Sequence, residues 1–484
     1  MCSRVTLAIS IIFLPALIFD SGFIASMSQG QLLGQAQSVN QDEVQVEGSR
    51  LLTPRSYGFE FDPGYPRYFE ETNVRVRNTK GDSVVAKLIC RVGDNSVVMM
   101  PNGQLESRAW ADVALVEDKF KATKKQEIAK QLQSGRFANF NVSTTRNFVF
   151  VYNTSDGFVN VTKRILESMR KGVLKQLDKA GFEANEPDVP LVVIMFADKD
   201  QFQAYKTMPE GVLAYYNMVS NHVVLYEPAP RRGVRLDVIQ GQALSTIAHE
   251  GAHQLLHNTG IQQRLSLWPM WLSEGLAEYY APTSFGKNFS WKGAGVINDL
   301  RMFELENYLQ ARELVGLDGS TITDCVSASR LDSTGYATAW SIVHYLAEHH
   351  QEKLVEYIKY ISQLPPLRGM AGREAEIAAN LDHFKKFFGE DFEAMEADLI
   401  EHLKAQNYDS PMSHIPHYVT VVQFQEDDKE VYRGCIYHRQ ELANQWRQQF
   451  FLTLNSEQRQ SAKVESQAFD NRSKAVRYLG RFIK

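Results

Sequence analysis

Five residues, His249-Glu250-Gly251-Ala252-His253, constrain this 484-residue chain more than any other feature. On an α-helix, positions i and i+4 share a face, so two imidazoles can hold one metal ion while the intervening Glu250 reaches a water beside it. The chemistry therefore demands a helix here. Asp237 is the expected N-cap and Asn258-Thr259-Gly260 the expected stop, a span of about twenty residues. At about 100° per residue, Leu244, Ile247, Ala248, Gly251, Ala252 and Leu255 fall on one apolar face. His249 and His253 project from the opposite side, and Glu250 lies between.

A second segment, Trp268 to Tyr280, begins with Pro269 near a helix's first turn and is closed by Pro282. It places Glu274 and Glu278 at i and i+4. Two like charges on one face cost stability unless a cation or a protonated donor sits opposite. A zinc site supplies such a partner. Glu274 is the expected third ligand, completing a His₂Glu set that leaves one position for water. Glu278 is expected to accept the free ring N–H of a ligand histidine and fix its orientation.

The wording HEGAHQLLHN followed by PMWLSEGLAEYY resembles the gluzincin superfamily of zinc metallopeptidases, and more narrowly an exported planctomycete-type family. The similarity covers about residues 147–406. It implies zinc (Zn²⁺) held by His249, His253 and Glu274, with Glu250 as general base and Glu278 behind a ligand histidine. It also implies a zincin-type metallopeptidase core, a mixed sheet with an active-site helix and a mainly helical lower subdomain. The segment starting at Ser333 is similar to the one where relatives carry a catalytic tyrosine, which points to Tyr336 as oxyanion donor. His344 and His257 stand in reserve for that role, and His349-His350 reads as a solvated helix end. No Gly-x-Met-Glu-Asn motif is present, the corresponding region reading AYYNMVSN, so an endopeptidase is favoured over an aminopeptidase.

The remaining chain divides by pattern. Val5 to Phe19 is an uncharged apolar run after Arg4, too short to span a bilayer comfortably, and reads as a signal peptide over 1–26. The protein is therefore expected to be exported, in the periplasm, on the envelope or outside the cell, with no stable membrane insertion. Residues 27–65 read as a flexible linker. Residues 66–122 carry short β-rich runs around Pro101-Asn102-Gly103. Their wording, VVAKLICRVGDNSVVMMPNGQ and then ALVEDKF, resembles the first homology domain of a yeast actin-patch protein. That implies a small SH3-like β-barrel able to contact a protein partner. A helical connector (123–146), the peptidase domain (147–406) and a C-terminal segment of unknown role with a basic tail (407–484) complete the α+β chain.

Fifty-two Lys plus Arg against fifty-seven Asp plus Glu leave a net charge of −5, which argues against nucleic-acid binding. After removal of a signal, Cys90, Cys325 and Cys435 remain, an odd number without metal or redox spacing. The expected partner is a peptide or protein substrate. The alternatives are a zinc-containing but catalytically silent envelope protein and a structural protein in which HEGAH is coincidence.

Overall fold

A computed structural model describes residues 53–69, 71–78, 80–230, 236–284, 288–305, 308, 316–368, 373–410, 415–426 and 429–482. The signal segment and residues 27–52 of the expected linker lie outside these. The described chain is α+β, with three sheets.

The first sheet comprises β1 (Pro66–Arg67), β2 (Asn73–Arg77), β3 (Ser83–Val92), β4 (Asn95–Met99), β5 (Leu105–Ala109) and β6 (Ala114–Val116), in order β5-β4-β3-β2-β6 with β1 on β3. The expected small barrel is instead an open sheet: β5 and β6 end the order without pairing with each other. At the start of β5, the Leu105 N–H donates to the carbonyl of Val219 in the next unit (2.7 Å), so part of that edge is spent outside the sheet. Residues 53–61 are not linker either. Tyr57, Phe59 and Phe61 are buried in one cluster with Cys90, Val92, Leu265 and Leu367. Aromatic burial of this size ties the segment down.

The second sheet runs β10-β11-β9-β8-β7, formed by β7 (Asn141–Thr144), β8 (Phe148–Tyr152), β9 (Leu191–Phe196), β10 (Ala214–Asn217) and β11 (His222–Tyr226). β8, β9 and β11 are parallel, and both edge strands are antiparallel. FVFVY and LVVIMF are continuous apolar runs because both faces of the sheet are covered. Phe148, Phe150, Leu191 and Val193 face one cluster that includes α2 (Asp156–Lys179) and α4 (Leu236–Leu256). Val149, Val151, Val192 and Ile194 face the other, with Ile128 of α1 (Lys125–Gln133) and Phe202 of α3 (Lys199–Tyr205). The expected connector thus contributes a covering helix and an edge strand.

Helices follow: α5 (Met270–Tyr280), a helical stretch at 299–305 (α6), α7 (Ser320–Ser327), α8 (Ser333–His349), α9 (Gln351–Ser362), α10 (Arg373–Phe388) and α11 (Phe392–Lys404). Two glycines allow close approach. A Cβ on Gly251 would lie 2.5 Å from Leu166 Cδ2 of α2, and one on Gly275 would lie 2.6 Å from the backbone oxygen of Ala339 in α8.

The C-terminal segment is a small α/β unit in which β12 (His417–Glu426) pairs antiparallel with β13 (Lys429–Tyr437) and β14 (Lys463–Phe469). Trp446 and Phe450 of α12 (Gln440–Thr453) pack on one side of this sheet, Ala475 of α14 (Arg472–Leu479) on the other, and α13 (Ser456–Ser461) precedes β14. The expected basic tail is therefore a strand and a helix. Among the described residues, no helix is long and apolar enough to cross a membrane.

Candidate metal centre

The motif helix α4 is buried on every side from Val238 to Leu256 apart from Gln240 and Gln242, because α2 and the sheet cover one flank and α5 the other. Asp237 lies in the first turn of this helix, not at its cap. One turn separates His249 from His253, and their rings meet edge to face with centroids 4.7 Å apart. α5 enters through Pro269, whose ψ of 129° is extended, and brings Glu274 to the same point.

His249 Nε2 and His253 Nε2 are 3.0 Å apart, and Glu274 Oε2 lies 3.1 Å from the first and 3.2 Å from the second. All three residues are about 1% exposed. His249 Nδ1 lies 2.8 Å from Glu278 Oε1, so the ring faces Glu278 with one nitrogen and the other two donors with Nε2. Two imidazole nitrogens and a carboxylate oxygen at this spacing are donors that one ion about 2.0–2.2 Å from each can bridge. The donor set fits a metal: His249, His253 and Glu274 form a buried cluster that could bind one.

The local field agrees. Burial opposes a charged imidazole, yet Glu278 and then Glu274 raise His249 to about 10. Burial equally opposes the charge on Glu274, and His253 and His249 nevertheless hold it well below the usual carboxylate range. Glu278 falls to about 2 because Arg301 and His249 outweigh burial. Positive charge is favoured at the His249 ring and negative charge at Glu274 and Glu278.

Glu250 is fully buried beside this cluster. Its Oε2 accepts the Tyr216 N–H of edge strand β10 (2.7 Å), while Oε1 has no hydrogen-bond partner. Burial, followed by Glu274 and Glu278, pushes its carboxyl up to about 8, against the pull of His249 and the Tyr216 amide. Tyr336, in the first turn of α8, meets the His249 ring at 6.3 Å, edge to face. Burial and the nearby Glu274 and Glu250 raise its hydroxyl well above the ordinary value of 10.0.

The two reserve histidines are placed elsewhere. His257 stacks on Tyr216 at 5.5 Å, and its Nδ1 lies 3.2 Å from the Gln262 carbonyl. His344 Nε2 lies 3.2 Å from the Gly295 carbonyl and its Nδ1 2.9 Å from His402 Nε2. His349-His350 is the expected solvated helix end, with His349 exposed and closing α8, and both rings have partners: His349 Nε2 lies 3.0 Å from His402 Nδ1, and His350 Nε2 lies 3.2 Å from the Tyr345 hydroxyl.

Four groups at the site carry no sequence signal. The Tyr216 amide is a backbone donor, invisible to residue type. Asn298, Arg301 and Glu304 sit 20, 23 and 26 residues beyond Glu278, outside any periodic relation to it. Only an Asn before a helical run, a capping signal, marks the first.

Residues 243–368 match the model of a family described as a protein of unknown function, DUF1570. That span holds His249, Glu250, His253, Glu274, Glu278, Arg301 and Tyr336. No curated protein matches the chain.

Proposed function

We propose that this chain is an exported zinc-dependent peptidase, with His249, His253 and Glu274 as zinc ligands and Glu250 as general base. One observation carries the reading: three donor atoms converge at 3.0–3.2 Å beside a buried, unpartnered Glu250 oxygen. Zinc bound at such donors supplies Lewis acidity, acidifying a water and polarising a carbonyl.

The protein's own groups do the rest. Glu250 takes the attacking water's proton at Oε1 and delivers it to the leaving amine nitrogen. Throughout, the Tyr216 N–H steadies Glu250 through Oε2. Tyr336 keeps its phenolic proton, given the strong upward shift, and donates a hydrogen bond to the oxyanion as it develops. Glu278 keeps the His249 ring oriented from behind.

Substrate binding follows from the sheet. β10 is an antiparallel edge strand and its Tyr216 touches Glu250, so an extended peptide added along β10 would bring its scissile bond to the site. This arrangement of edge strand and motif helix supports a zincin-type core. The AYYNMVSN segment there lacks an amino-terminus clamp, which favours an endopeptidase. The N-terminal β-sheet unit adjoins the β10–β11 turn through Arg264, which donates to the carbonyls of Gly103 (2.6 Å) and Met218 (3.4 Å).

The test compares wild type with Glu250→Gln on casein and a peptide library, alongside zinc analysis. Wild type is expected to bind one zinc and cleave, and the variant to bind zinc without cleaving. Equal cleavage by both, or zinc below about half an equivalent in wild type, sinks the proposal.

A further inference from the structure

Glu278 is held from three directions. Its Oε1 lies 2.8 Å from His249 Nδ1 and accepts from Arg301 NH2 at 2.6 Å, and its Oε2 accepts from Asn298 Nδ2 at 2.9 Å. A carboxylate gripped at one oxygen can rock about its own axis. Gripped at both, it is fixed, and so is the imidazole that leans on it.

Arg301 is 1% exposed, and a guanidinium is costly to bury unless its donors are met. NH2 goes to Glu278, NH1 goes to Glu304 Oε2 (2.6 Å), and the guanidinium lies 5.6 Å from the centre of the Tyr336 ring. One side chain thus reaches both the carboxylate behind His249 and the tyrosine whose ring meets His249 edge to face. Asn298 ties the same stretch in place: its Oδ1 accepts the Arg301 N–H (3.3 Å) while its Nδ2 reaches Glu278. The start of α6 is registered on Glu278 by the residue that caps it.

We infer that Arg301, together with Asn298, is the positioning clamp of the metal centre: by holding Glu278 it fixes the His249 ring and sets the affinity of His249, His253 and Glu274 for zinc. The inference rests on the metal-centre reading above. Arg301 makes no bond to the three donor atoms, and its effect on them passes through Glu278.

The experiment measures zinc affinity of the full chain by competition with a chromogenic chelator, and the d–d absorption of the cobalt-substituted protein, which reports coordination geometry. Arg301→Lys keeps the charge but loses the planar fork, and is expected to weaken zinc binding about 10–100-fold and alter the cobalt spectrum. In a Glu278→Gln background the same change is expected to add less than about twofold, because the element it acts through is already lost. Asn298→Ser keeps a capping hydroxyl and removes only the amide donor; it is expected to weaken binding about tenfold, and it decides the matter if Arg301→Lys does not fold. Undiminished affinity in a folded Arg301→Lys, or in Asn298→Ser when that variant decides, overturns the clamp alone, as does a loss of equal size in the Glu278→Gln background. A wild type that binds no zinc overturns the metal-centre reading and the clamp together.

Discussion

Two groups of histidines lie in the helical half of this protein, and they are built to opposite ends. His249 and His253 stand 3.0 Å apart with Glu274 and Glu278 against them. His344, His402 and His349 form a string with steps of 2.9 and 3.0 Å, each ring bonded to the next. In the first group carboxylates draw positive charge in, raising His249 to about 10 against burial. In the second, burial and then His344 and His349 hold His402 down to about 4. One tautomer pattern satisfies the string, with His344 donating Nε2–H to Gly295 and accepting at Nδ1 from His402, whose Nδ1 in turn accepts from His349. The neighbours, not the histidines, decide which group could hold a cation and which is bonded only to other rings and the backbone.

The comparison can be broken in four ways, taken from the largest expected effect downward. Glu250→Gln should lower peptidase activity by about 10²–10⁴-fold with zinc content unchanged, whereas His402→Asn should leave activity near wild type; casein turnover with metal analysis reads both. Next, zinc removal by a chelator should destabilise wild type by about 4 kcal/mol if the metal is present at about 1,000 times its Kd, seen as a fall in Tm. His253→Ala should show no such response, and His402→Asn should respond like wild type.

The third test uses acid. An unfolded histidine titrates near 6.5 and His402 near 4, so below pH 6.5 the unfolded chain binds the additional proton. Stability from the string is therefore complete above about pH 6.5 and is lost as pH falls toward 4. Glu278 shifts in the same direction, to about 2, so its contribution persists down to about pH 4.5 and is lost only below that. Urea unfolding across pH 4–7 should show a slope that His402→Asn flattens; an unchanged slope means the string is not the source. The smallest effect is Gly275→Ala, which pushes a methyl onto the Ala339 carbonyl and should cost about 1–3 kcal/mol in Tm-derived stability.

Much of the fold was legible because its signals are local. FVFVY and LVVIMF form strands, since continuous apolar runs bounded by polar residues suit a sheet covered on both faces. The motif helix ends near the expected stop, Leu256 being its last residue and Gly260 adopting φ +85°. The apolar stripe drawn on one side of that helix was only half of the matter. The histidine side is buried too, by α5, which no periodicity within α4 reports. β14 escaped notice because KVESQAF is exposed over nearly its whole length and carries no alternation; its pairing with β12 makes it a strand. The polar sequence before Tyr57, Phe59 and Phe61 reads as linker, whereas their burial depends on Leu265 and Leu367, over 200 residues away.

The same division runs through the site. Residue spacing alone dictated that His249 and His253 share a helix face, with Glu274 and Glu278 sharing another, because the 3.6-residue turn is a property of the backbone itself. It could not dictate that the two faces meet, with three donor atoms 3.0–3.2 Å apart. Nor could it bring the Tyr216 amide to Glu250, or Arg301 and Asn298 to Glu278. Those bonds join segments whose separation along the chain has no regular period. They exist because packing across Gly251 and Gly275 lets α4 and α5 sit close enough to their neighbours for buried polar groups to find one another.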